Sequence, residues 1–93
     1  MYLSMNEREE KLHTQVMEAL LDYLEGQRTL RSVVALGITE HNRNWSPRNE
    51  NLAQTLSQLN FIGNQIAHGE NKKYSREYIK ETFTTMLEEL TKN

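Results

Sequence analysis

Apolar positions recur at helical spacing in four blocks, separated by polar breaks that carry glycine, proline or asparagine. In the first block Leu12, Val16, Ala19, Leu20, Tyr23 and Leu24 form one stripe, which predicts a helix from about Met5 to Glu25. Ser4-x-x-Glu7 reads as a capping box at its start, and Gly26 suits the left-handed residue that ends a helix. The second block, with Leu30, Val33, Val34, Gly37 and Ile38 on one face, predicts a helix from about Arg28 to Glu40. Its β-branched residues lower helix preference, so a strand over Ser32 to Ile38 competes with this assignment. A polar loop follows, His41 to Asn49, in which Ser46-Pro47 reads as a cap with proline in the first turn and Trp45 as an anchor on the core.

The third block, from about Arg48 to Ala67, places Leu52, Leu56, Leu59, Gly63 and Ile66 on one side. No charged residue occurs between Asn51 and Ala67 in a chain that is 26% charged. A solvent-facing helix would normally carry several Lys or Glu. Depletion of charge with amides retained is typical of a covered surface. A partner subunit or burial on more than one side of the helix would each account for it. His68-Gly69 closes this helix, and Glu70 to Tyr74 forms a short loop with two adjacent lysines. Ser75 caps a fourth helix whose stripe is Ile79, Phe83, Met86, Leu87 and Leu90, and Glu77 in its first turn suits the helix dipole. Short connections favour antiparallel neighbours, so the expected fold is all-α, a small antiparallel bundle of about four helices.

At 93 residues the chain reads as a single domain over 1–93, small enough that dimerisation would help its core. It has no cysteine, which excludes disulfides and thiolate metal sites. No apolar run is long enough to span a membrane and the N-terminal region lacks the apolar block of a secretory signal, so a cytoplasmic location without membrane contact is the expectation. His13, His41 and His68 are far apart and have no carboxylate at metal-ligand spacing, and there is no glycine-rich phosphate loop, so no metal or cofactor is expected. The net charge of −2 is unevenly spread: residues 1–27 sum to −4, residues 28–80 to +4 and the remainder to −2. A basic middle can attract polyanions despite an acidic total, although mixed surface charge explains it equally well.

Within that middle lies Gly63-Asn64-Gln65-Ile66-Ala67-His68-Gly69-Glu70. This segment resembles the signature of HEPN ribonuclease domains, Arg-Asn-x-x-Ala-His-Gly, through Asn64, Ala67, His68 and Gly69. Gly63 stands where that family has its arginine. The resemblance extends weakly through the third and fourth helices; over residues 1–45 it is only a helical pattern. It implies a HEPN-like bundle and a metal-independent endoribonuclease of the toxin or host-defence kind, in which two motifs meet across a homodimer. Family members are often longer, so the chain fits either a whole protein or a fragment of one.

By that resemblance His68 would be the base that takes the ribose 2′-hydroxyl proton, a role suited to imidazole, and Asn64 would orient His68 or a phosphate. Arg43, Arg48, Lys72, Lys73 and Arg76 would bind RNA, and an antitoxin protein would be a further partner. Loss of the arginine would impair catalysis, because a fixed guanidinium at the phosphate is worth several kcal/mol of barrier. Gly63 then has three readings: an inactivated enzyme, a fold retained for binding, or a cation supplied from elsewhere. A glycine within a helix costs about 1 kcal/mol, which close approach of a second helix can offset. Residues five apart on a helix point about 140° apart, so Gly63 and His68 share a face only if the helix ends between them or a partner completes the site. A histidine at a helix C-terminus also has a purely structural role, as a capping donor. The position two residues after His68, a tyrosine in some family members, is Glu70 here. The rival class is a non-enzymatic helical module for RNA binding or dimerisation.

Overall fold

A computed structural model describes residues 2–43, 47–69 and 74–92, with side chains from residue 7 onward. Among these residues the chain forms four helices and no strand: α1 (Tyr2–Leu24), α2 (Leu30–Asn42), α3 (Glu50–Ala67) and α4 (Arg76–Thr91). The expected all-α bundle is the fold observed. Ser32 to Ile38, where a strand competed, is helical throughout, because its apolar residues fall on one helix face against α3.

The helices run antiparallel in two pairs. α2 lies along α3, with Gly37 against Leu56, Leu59 and Asn60, and Val34 against Gly63. α1 lies along α4, with the ring of Tyr23 edge-on to Phe83 at 5.2 Å and His13 Nε2 3.0 Å from the Leu90 carbonyl oxygen. The four predicted stripes meet in one core, in which Val16, Leu20, Val33, Leu52, Leu59, Ile79, Phe83 and Leu90 are fully buried. Replacing such a side chain by alanine typically costs about 2–5 kcal/mol.

Gly37 permits the close approach of α2 and α3. A Cβ there would sit 2.6 Å from the backbone atoms Asn60 N and Leu56 O. Gly63 serves the same contact more loosely: its Cβ would meet Ile38 Cδ1 at 2.8 Å and Val34 Cβ at 3.2 Å.

The ends of the helices correct several expectations. α1 begins at Tyr2, so Ser4 lies inside the helix instead of capping it. Its C-terminus is closed by Gly26 at φ +79°, whose N–H donates to the Tyr23 carbonyl while that of Gln27 donates to Asp22, the paired bonds of a Schellman turn. α2 starts at Leu30, two residues later than expected, because the Thr29 hydroxyl oxygen accepts from the Ser32 N–H at 3.2 Å. α3 is capped by Asn49, whose Oδ1 accepts from Leu52 N–H at 3.0 Å; Ser46, the expected cap, lies outside the described residues. The start of α3 is held from outside as well: both carboxylate oxygens of Glu9 on α1 accept backbone N–H groups, from Arg48 at 3.1 Å and Asn49 at 2.8 Å. Ser75 caps α4 as expected. Trp45 and its expected anchoring lie outside the described residues. No helix among the described residues is long and apolar enough to cross a membrane.

Candidate functional site

The motif residues part company on α3. His68 is the residue after the last helical turn; its backbone N–H donates to Asn64 and Gln65 carbonyls at 3.1 and 3.2 Å. Gly69 follows at φ +82° and donates to the Ile66 carbonyl at 3.0 Å. The backbone of His68 therefore does the capping, while its imidazole is exposed. Asn64, one turn back, is exposed on the same side. Gly63 is buried and turned toward Val34 and Ile38 of α2. A longer side chain at Gly63 would enter the α2–α3 contact, away from the imidazole.

The expected basic set does not gather round His68. Arg43 follows α2 and Arg48 precedes α3, so both sit at the N-terminal end of α3, about 27 Å of helix away from His68. Arg43 lies 3.8 Å from Glu40 through its Nε. Arg76, exposed in the first turn of α4, shares the His68 end of the bundle. Lys72 and Lys73 lie outside the described residues. Antiparallel pairing brings two unexpected cations to that end, Arg28 and Arg31 at the start of α2; Arg28 is 3.9 Å from Asp22.

The uncharged helix separates into three sides. One packs on α2, one on the core with α4, and the third is open. The open stripe is Gln54, Ser57, Gln58, Phe61, Asn64 and His68, with half-buried Gln65 beside it. From Gln54 to His68 it carries no formal charge; exposed Glu50 stands one turn before Gln54 at the start of the helix. Phe61 stands at its centre and is 58% exposed. A groove of roughly 560 Å³ continues the surface onto α4, between Asn51, Gln54, Ser57 and Gln58 on one bank and Tyr78, Thr82, Thr85 and Glu89 on the other. Glu89 is the one carboxylate in that lining. Tyr78 is 48% exposed and packs on Tyr74 with ring centroids 5.6 Å apart. The acids of α4, Glu77, Glu81 and Glu88, are exposed outside this lining. Inside the groove Thr55 is buried but satisfied, its hydroxyl donating to the Asn51 carbonyl at 2.8 Å.

A second cleft, roughly 480 Å³, lies between α1 and α2, with Leu12 and Leu36 among its apolar lining and Glu7, Arg8, Lys11, Glu40 and Arg43 at its charged edge. Glu40 is mostly buried there; its Oε1 has no hydrogen-bond partner and is closed off from solvent. His68 lines neither cleft. Among the described residues no group of three or more His, Asp or Glu is placed to hold a metal ion.

Of two features of this surface, one was hidden in the sequence and one was not. The contribution of Tyr78, Thr82 and Thr85 depends on α4 lying beside α3, which no local pattern encodes. Phe61 was visible as an aromatic off the apolar stripe, at a position a soluble helix would usually give to a charged residue. Comparisons of the chain with protein-family models, with curated proteins and with solved structures find no match.

Proposed function

We propose that this chain is a non-enzymatic helical interaction module that pairs with a second copy of itself through the open face of α3 and the neighbouring bank of α4. The observation that carries this reading is the charge-free stripe centred on exposed Phe61. Interface cores are depleted of Lys, Glu and Asp and enriched in aromatic residues, and this face has that composition while exposed.

The rival reading is RNA cleavage through His68, as the HEPN resemblance implies. In its favour the imidazole is exposed at an end of the bundle that also carries Arg28, Arg31 and Arg76. It ranks second because position 63 faces α2, so the motif supplies no transition-state cation beside the histidine.

Sedimentation across a concentration series, run beside incubation of the same chain with labelled RNA, separates the two. A reversible dimer that leaves RNA intact supports the interaction module. A chain that stays monomeric at high micromolar concentration overturns it, and RNA cleavage abolished by His68→Ala establishes the nuclease.

A further inference from the structure

The open stripe is symmetric about its own centre. Counted from Phe61, its members lie at three, four and seven residues on either side: Gln58 and Asn64, Ser57 and Gln65, Gln54 and His68. Two copies laid antiparallel with Phe61 facing Phe61 would set each of these residues against its mirror position. Every pairing is then chemically compatible. Amide faces amide, hydroxyl faces amide, amide faces imidazole, and each of these groups can both donate and accept. The two phenyl rings meet at the two-fold axis, where an isologous interface places a residue against itself.

The helix ends decide between this arrangement and a parallel one. A parallel pair would set exposed Glu50 beside the other Glu50 and align the two macrodipoles. The antiparallel pair sets the Glu50 end beside the His68 end and opposes the dipoles. We infer that the partner of this face is a second copy of the chain, bound antiparallel along α3 with Phe61 on the two-fold axis. This inference rests on the dimer reading above and adds its register. It has a consequence for the motif: the two His68 residues would lie at opposite ends of the interface, about 21 Å apart along the helix. Each would face Gln54 of the partner subunit instead of the other imidazole.

The chain has no cysteine, so single-cysteine variants report the register cleanly. A disulfide joins only Cα pairs about 4.4–6.8 Å apart. Under mild oxidation Phe61→Cys is expected to run at twice the chain mass on a non-reducing gel. Gln54→Cys and His68→Cys, each alone, are expected to stay single, whereas an equal mixture of the two gives a linked dimer with Phe61 intact. All three positions are solvent-facing, and circular dichroism checks that each variant keeps its helix content. A chain that sediments as a dimer while His68→Cys links to itself overturns the antiparallel register and leaves the dimer standing. A dimer in which no variant links places the interface elsewhere. A monomer at high micromolar concentration removes both the register and the reading beneath it.

Discussion

α3 has two flanks of opposite character. On the α2 side two glycines let the backbones approach until Gly37 has no room for a methyl group. On the α4 side the helices diverge above the core and leave a groove edged by amides, hydroxyls and an exposed tyrosine. Both flanks lack charge, for different reasons. The first lacks it because it is core. The second is solvated in the single chain, and on the reading proposed above a second copy covers it.

Substitutions on the two flanks should therefore fail in different ways. The largest effect on folding is expected for Gly37→Ala, whose methyl would meet backbone atoms that move only if the helices separate. A loss of about 3 kcal/mol, read by urea denaturation, is the expected outcome. Gly63→Ala should cost far less, because Ile38 Cδ1 can swing aside and the gain in helix propensity offsets the crowding. Equal losses at the two glycines would contradict the close-approach account. On the other flank Phe61→Lys should change monomer stability by no more than about 0.5 kcal/mol, yet weaken association at least about 30-fold, the loss of one hot-spot residue. Sedimentation of wild type and variant at matched concentrations tests this. Unaltered association would mean that the face is not an interface.

Smaller effects probe how α3 is held in place. Glu9→Gln removes the charge from an acceptor of two N–H groups at the start of α3. It should cost about 1–2 kcal/mol and raise hydrogen exchange at Arg48 and Asn49 before the rest of the helix. Gly69→Ala puts a side chain at φ +82° with no neighbour within 4 Å. The expected penalty is about 1 kcal/mol from backbone conformation alone, with association unchanged.

Much of the bundle was legible in the chain. The apolar stripes of all four helices and the Ser75 cap follow from periodicity and local hydrogen-bond chemistry, which short segments carry within themselves. Boundaries were less legible at the start of α3: Ser46-Pro47 looked like a helix start, but the helix begins at Glu50 with Asn49 as its cap, and Glu9, forty residues away from Asn49, binds the N–H groups there, a contact no local pattern encodes. The candidate site was read least well. Arg43, Arg48 and His68 are close in sequence terms, yet α3 runs its full length between the arginines and the histidine. Arg28 and Arg31 look remote in sequence and reach the histidine's end through the antiparallel turn of α2 onto α3. Gly63 carried two meanings in the sequence, a substituted arginine position and a helix-contact residue, and its place against Val34 and Ile38 is that of a helix-contact residue.

The contact between His13 and the Leu90 carbonyl spans 77 residues. On a ribosome, the first helix is therefore synthesised long before the helix that receives it. α2 and α3 are sequence neighbours and can close on each other early. Through that interval the greasy edge of Leu12, Val16, Ala19 and Leu20 has α2 and α3 to pack on but lacks α4, so part of it stays uncovered until the last helix is made.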